Sequence, residues 1–126
     1  MAELSYSQLT EGITAIGVRV HSILGPGLED KVYKKAVRIE LKKSGIKFKA
    51  NADIPILYER KVLGWDRVDF IVDKKVLIMV VAAEEDKESQ SAQKLMASRL
   101  RGAQMKVGFV LNFAKNRPEI RRISVQ

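Results

Sequence analysis

Apolar residues spaced three and four positions apart predict two amphipathic helices at the start of the chain. Over residues 5–24, apolar side chains recur at steps of three and four residues, and Gly25-Pro26-Gly27 ends the pattern. A second helix is predicted over residues 28–44, ended by Ser44-Gly45. The helical wheel places the following residues on its apolar side: Val32, Tyr33, Ala36, Val37, Ile39 and Leu41.

Short apolar runs in the middle of the chain predict strands. They cover residues 46–50, 53–58, 62–72 and 76–83, with turns at 59–61 and 73–75. Pro55 cannot donate a ladder hydrogen bond, so its strand is expected at a sheet edge or a bulge. The run from Val76 to Ala83 is apolar throughout, which indicates a strand buried on both faces.

A third helix and two further strands complete the predicted domain. Helical spacing returns over residues 88–103, with Ala92, Leu95, Met96, Leu100 and Ala103 on one side. Residues 106–113 form another apolar strand and residues 120–125 a last short one. Because a helix separates strands 76–83 and 106–113, we expect these strands to be parallel neighbours. The pattern predicts one α/β domain over residues 1–126, with helices flanking a mixed central sheet.

Composition narrows the class of protein. The chain has no cysteine, which excludes disulfides, thiolate zinc sites and a cysteine nucleophile. Its first residues lack the features of a signal peptide, and no segment is long enough to span a bilayer. We therefore expect a cytoplasmic protein without membrane partners. The formal net charge of +8 favours polyanionic partners, because clustered cations release counterions from phosphate.

One acid in an apolar strand needs an explanation. An unpaired carboxylate is costly there, so we expect Asp69 to bind a metal ion or a protein donor such as Arg67 or a backbone amide. In a metal-dependent nuclease, the next strand supplies a carboxylate and a lysine two residues apart. Met79 and Val81 occupy those positions. Neither can hold a metal ion, and we expect both to be buried beneath the second helix.

Other charged residues stand next to the apolar elements. Glu29 and Asp30 open the second helix, either as favourable charges at its N-terminus or as accessory metal ligands. Glu84 follows the buried strand closely enough to reach back toward Asp69.

Three polar residues fall on or beside the apolar faces of the helices. Glu40 and Arg99 lie on the apolar sides of the second and third helices, and one hypothesis is that they form a buried pair. His21 is the only histidine, and we expect it to have a structural hydrogen-bonding role.

Short motifs follow one another over nearly the whole chain. They are Leu9-Thr10-Glu11, Val20-His21, Leu24-Gly25-Pro26-Gly27-Leu28, Val32-Tyr33, Glu40-Leu41, Leu63-Gly64, Arg67-Val68-Asp69-Phe70, Lys106-Val107-Gly108 and Asn112-Phe113. Together they resemble the GxxExxY proteins of the PD-(D/E)xK nuclease-like superfamily. The resemblance implies an αβββαβ core, which agrees with the predicted order of elements.

The resemblance also implies where a nuclease site would lie. The family's functional residues fall on Asp30, Asp69, Met79, Val81 and Gln93, with the usual tyrosine partner of the glutamine falling on Ala97. The second acid, the lysine and the tyrosine are thus all replaced. The resemblance therefore implies a vestigial, catalytically inactive site, for which we expect no metal or other cofactor.

Basic residues predict a surface for nucleic acid. On the second helix they share one face: Lys31, Lys34, Lys35, Arg38 and Lys42. A second patch comprises Arg117, Arg121 and Arg122. Aromatic residues are few, with Trp65 the one obvious stacking candidate, so we expect sequence-independent contact with a duplex backbone. The leading hypothesis is an inactive nuclease fold that binds duplex nucleic acid.

Two alternatives stay open from the sequence. One is a divergent Mg²⁺-dependent nuclease that uses Asp69, Glu84 and Asp30 as metal ligands, with Lys74 or Lys75 in place of the lost lysine. The other is a protein-interaction or scaffold module, including a homodimer formed along an exposed strand edge.

Overall fold

A computed structural model describes residues 4–125, which form a five-stranded sheet between two helical layers. The helices are α1 (Tyr6–Leu24), α2 (Asp30–Ser44) and α3 (Asp86–Ala103). The strands are β1 (Phe48–Tyr58), β2 (Lys61–Val72), β3 (Val76–Val81), β4 (Val107–Asn112) and β5 (Glu119–Ser124). They lie side by side in chain order, and only β3 and β4 are parallel among the described neighbours. The predicted α/β class and the predicted parallel pair are confirmed.

The main departure from the predicted elements lies in β1. Residues 46–50 and 53–58, predicted as two strands, belong largely to one strand that pairs with β2. Asn51 lies between the two segments with a φ of 53°, a conformation that asparagine tolerates better than most residues. Pro55 lies on this edge strand, as predicted, and the register with β2 shifts just after it.

Helices α1 and α2 cover one face of the sheet. On α2 the buried residues are Tyr33, Val37 and Leu41, which recur every four positions. Val32 and Ile39, also predicted on the apolar side, are exposed. The prediction was wrong for these two because α1 and the sheet cover only a narrow stripe of α2.

Helix α3 covers the opposite face through Ala92, Met96 and Leu100. Leu95, predicted on this side, is exposed. Near the end of the helix, a Cβ added at Gly102 would lie 2.2 Å from the carbonyl oxygen of Pro55. A residue without a side chain is therefore needed for α3 to close on β1.

In the β1–β2 hairpin, the strand faces that pack against the two helical layers are exchanged at Asp69 and Asn51. In β2, Phe70 packs with α1 and α2, whereas Val68 belongs to the core beneath α3. Residues two apart in a regular strand share a face, so the alternation is broken at Asp69. Asn51 lies opposite Asp69 in β1, and the same exchange occurs there. Pairing of β2 with β3 ends at Phe70, and beyond it the hairpin departs from β3.

Two aromatic rings and one histidine fix the connections around α1 and α2. The Tyr33 hydroxyl donates to the Gly25 carbonyl over 2.6 Å, and its ring stacks on Phe113 with centroids 4.8 Å apart. His21 Nε2 lies 2.7 Å from the Lys115 carbonyl oxygen. The structural role predicted for His21 is confirmed.

The hypothesised pair of Glu40 and Arg99 is wrong, because α2 and α3 lie on opposite faces of the sheet. Glu40 instead joins α2 to α1, with 3.1 Å between its Oε1 and Nε of Arg19. No helix of the described residues is long and apolar enough to cross a membrane.

Candidate active site

Asp69 lies where β2 departs from β3, and its carboxylate accepts a hydrogen bond from a backbone amide of β3. Oδ2 accepts a hydrogen bond of 2.7 Å from the amide of Val80. Oδ1 lies 3.2 Å from Nζ of Lys34, on α2. The predicted backbone-amide partner is confirmed, whereas Arg67 pairs with Asp53 at 3.4 Å and does not bind Asp69. Both carboxylate oxygens of Asp69 thus have protein partners.

Lys34 connects the acid of β2 to the acid that opens α2. Its Nζ lies 3.4 Å from Oδ2 of Asp30 as well. Burial alone would lower the pKa of Lys34, but attraction to Asp69 and the hydrogen bond with it, followed by those of Asp30, raise the pKa above its ordinary value of 10.5. Lys34 therefore carries its positive charge between two carboxylates throughout the neutral pH range.

Met79 is covered by α3 and not by α2, contrary to the prediction. Val80 and the other even-numbered residues of β3 face α1 and α2, so alternation turns Met79 toward α3. The predicted burial of Met79 is confirmed, since only 6% of the residue is exposed.

A second cation lies beside Met79. Nη1 of Arg99, on α3, is 3.1 Å from the Met79 sulfur. Nε of Arg99 is buried without a hydrogen-bond partner among residues 4–125, and the carboxylate of Asp66 is 3.8 Å away. The position that the resemblance assigns to a nuclease carboxylate is therefore a thioether with a guanidinium next to it.

Val81 is only half-buried, so the prediction of full burial is wrong for this residue. It lines an open cleft of about 400 Å³ between the starts of α2 and α3, where the sheet ends and no helix covers it. The other lining residues are Leu28, Glu29, Asp30, Ala82, Ala83 and Glu88. Three of these are acids, and two of the three are paired with bases of α2: Glu29 with Lys31 and Asp30 with Lys34.

Of the acids predicted as metal ligands, Asp69 and Asp30 come together through Lys34, which pairs with both. Within residues 4–125, no three histidine, aspartate or glutamate side chains are close enough together to hold a metal ion. Glu84 is exposed, and no described hydrogen bond or ion pair joins it to Asp69. Lys74 and Lys75 lie at the other end of β3, where Lys75 donates to the carbonyl of Leu4 over 2.8 Å. This arrangement leaves Asp30 and Asp69 as the carboxylates that a Mg²⁺ ion could use, and Lys34 already pairs with both.

Gln93 belongs to a separate polar network at the carboxyl ends of β3 and β4. Its Nε2 is 3.3 Å from Oγ of Ser89, which in turn donates to Glu119. Burial alone would raise the pKa of Glu119, but hydrogen bonds from Ser89, Lys115 and Asn112 lower it below the ordinary 4.5. Sequence reasoning missed this network; the one available signal was a serine on the buried side of α3.

Some of the basic residues on α2 form ion pairs, and others are exposed. Lys35, Arg38 and Lys42 are exposed and have no ion-pair partner in the part of the chain that the structure describes. Lys31 pairs with Glu29, with 3.2 Å between Nζ and Oε2.

The second predicted patch is not one surface. Arg121 and Arg122 are neighbours in β5, so their side chains project to opposite faces of the sheet. Arg121 also approaches Glu119, with 3.7 Å between Nη2 and Oε2. Arg117 is exposed in the loop before β5.

Comparison with known proteins agrees with this architecture. The sequence model of the PD-(D/E)XK nuclease superfamily matches residues 7–123. The crystal structure of an alkaline exonuclease from Laribacter hongkongensis aligns with a TM-score of 0.55 and 11% identity, over 100% of this chain and 73% of that chain. This likeness supports the fold alone. No curated protein matches the chain.

An acid is expected to be tolerated at residue 79 better than elsewhere in the same core. In Met79→Glu, the new carboxylate would lie beside Arg99, whose Nε lacks a partner. We expect a loss of less than about 2 kcal/mol in unfolding free energy, against about 3–5 kcal/mol for Leu77→Glu in the same buried core. Urea unfolding compares the two variants, and equal losses would contradict compensation by Arg99.

The stability contributed by Glu119 is expected to depend on pH. Its pKa is lowered in the folded protein, so the ionised carboxylate stabilises the fold above pH 4.5, and the contribution is lost as pH falls through the lowered pKa. Glu119→Gln should lose about 1–3 kcal/mol at neutral pH and much less in acid. Chemical unfolding over a pH series measures this, with Glu88→Gln at an exposed position as the control. A loss that is the same at every pH would contradict the assignment.

Proposed function

The chain belongs to the PD-(D/E)XK nuclease superfamily, and we propose that it binds duplex nucleic acid without hydrolysing it. One observation about α2 carries the proposal. Lys34 of this helix pairs with both acids of the candidate active site, whereas Lys35, Arg38 and Lys42 are exposed and unpaired among the described residues. We also propose, from the sequence motifs, that the chain is one of the GxxExxY proteins.

The absence of hydrolysis is supported by the pairing of Lys34 with two acids and by the lack of an acid at residue 79. A metal ion at Asp69 and Asp30 would have to displace the Lys34 ammonium from both carboxylates. It would find no carboxylate at residue 79, because Met79 faces Arg99 of α3, on the other side of the sheet from α2. A nuclease of this class needs a metal-bound water and a stabiliser of negative charge at the phosphate. The described residues offer no group of three such ligands, and the two carboxylates that come together share Lys34.

Duplex binding is supported by the distribution of charge on α2. Lys35, Arg38 and Lys42 extend over about 10 Å of the helix axis, which is enough to contact more than one phosphate. Side chains of this kind bind the backbone and do not distinguish bases. Near the cleft, Lys31 and Lys34 are already paired with Glu29 and Asp30, so they are less available to a phosphate. A bound duplex would therefore lie along α2 and away from Asp69.

Removing Lys34 is expected to make the site respond to metal. In Lys34→Met, Asp69 and Asp30 lose their shared cation, which should cost about 1 kcal/mol because the pair is partly exposed. Mn²⁺ should then raise the melting temperature of the variant and leave that of the wild type unchanged. Lys31→Met removes a more exposed pair from the same helix and serves as the control. Stabilisation of the wild type by Mn²⁺, or plasmid nicking with Mg²⁺ or Mn²⁺, would contradict the inactive site.

Duplex affinity is expected to depend on α2 and to fall steeply with salt. Charge reversal in Lys35→Glu/Arg38→Glu should weaken binding to unrelated duplexes alike and reduce the slope of log affinity against log salt by about 2. Lys87→Glu/Lys94→Glu makes the same charge change at exposed positions of α3 and should keep that slope. Fluorescence anisotropy measures all three proteins. No binding by the wild type at about 50 mM salt would refute the proposal.

A further inference from the structure

The outer hairpin, which we define as residues 53–67, exposes an unusual amount of apolar surface. Leu63 is 68% exposed, Trp65 64%, Tyr58 63% and Val62 52%, and Ile56 and Leu57 are each more than a third exposed. Single apolar residues are common on protein surfaces, but larger exposed apolar patches mark contact surfaces, and Leu63 and Trp65, two apart in β2, project to the same face. Helix α3 covers only one face of this segment, because the hairpin departs from β3 at Asp69.

The outer hairpin is electrically neutral in a strongly basic chain. It contains three acids and three bases: Asp53, Glu59, Asp66, Arg60, Lys61 and Arg67. The whole chain has a formal net charge of +8, so this entire excess lies outside the hairpin. Asp53 and Arg67 already neutralise each other across the strands at 3.4 Å. The surface therefore lacks the positive field that binds phosphate, and it differs in this respect from α2.

The edge of the sheet runs along the same segment. β1 is an edge strand and pairs only with β2 among the described residues. In the register of the hairpin, Trp65 lies opposite Pro55, and Arg67 lies opposite Asp53. An apolar pair thus adjoins a pair of opposite charges on one strand face, and the strand edge beside them has backbone groups free to pair.

We propose that the outer hairpin is the contact surface of a homodimer in which a second copy of this chain covers Leu63 and Trp65. Two chains of charge +8 repel each other, and the repulsion is least where the facing patches are neutral and apolar. A two-fold interface brings one patch against its own copy, so any charges in the patch have to include both signs to balance each other. The outer hairpin meets this condition. Helix α2 does not belong to it, so the proposal does not rest on duplex binding.

Trp65 makes the proposal directly measurable, because it is the only tryptophan of the chain. At high concentration, sedimentation should give twice the 14.2 kDa of one chain. On dilution to the monomer, Trp65 emission should shift to longer wavelength and its quenching by acrylamide should increase. Leu63→Lys should be monomeric at every concentration, with the emission of dilute wild-type protein.

A matched control separates the hairpin from other exposed apolar residues. Ile23→Lys makes a similar change on α1, at a residue 62% exposed, and should dimerise as the wild type does. A wild type that stays monomeric throughout, or a Leu63→Lys protein that dimerises as well as Ile23→Lys, would overturn the proposal. Quenching of Trp65 by a single-stranded oligonucleotide would also overturn it, because the hairpin would then be a stacking surface for bases.

Discussion

The hydrogen bond from the Val80 amide to the Asp69 carboxylate allows β2 to separate from β3 without leaving that amide unpaired. Where β2 departs from β3, the amide of a buried residue loses its strand partner, and an unsatisfied buried amide costs about 1–3 kcal/mol. The side chain of Asp69 supplies the missing acceptor. Its negative charge then has to be balanced in a partly buried place, and Lys34 of α2 does this. One carboxylate thus connects the hairpin, the central strand and the helical layer above them.

The same arrangement explains why membership of a nuclease superfamily does not by itself assign an activity. A carboxylate at this level of a sheet can bind a metal ion only if its charge is available. Here both oxygens are engaged by the protein, and the neighbouring positions 79 and 81 are apolar. Arg99 adds a second positive charge beside Met79. Lys34 thus offsets part of the negative charge of Asp69 and Asp30 from within the protein.

Local patterns predicted the elements well, and the failures came from contacts between distant parts of the chain. The spacing of apolar residues gave the helices and the parallel pair β3–β4, because helix period and crossover geometry are local constraints. Periodicity cannot tell how wide a stripe will be covered, so Val32 and Ile39 were wrongly placed inside. It also cannot tell which helix covers which face of a strand with both faces buried, so Met79 was assigned to α2 instead of α3.

The candidate site was predictable in position but not in its contacts. The acid in β2 and the apolar residues at 79 and 81 were visible in the sequence, as was a basic face on α2. Nothing in that basic face distinguished Lys34, which binds Asp69, from Lys35, which is exposed. The distinction arises from the rotation of α2 on the sheet, which depends on the packing of Tyr33, Val37 and Leu41 against α1 and β3.

The two proposed surfaces differ in charge, since α2 is basic and the outer hairpin is neutral, and this difference allows them to act together. Three free bases on one helix make few phosphate contacts, and such contacts are individually weak at physiological salt. Raising affinity by adding bases would increase the repulsion between copies of an already basic chain. Joining two chains through a neutral surface doubles the number of basic helices without placing any new positive charge at the contact. If one duplex can reach both helices, the second contact becomes intramolecular, and the affinity rises through effective concentration alone.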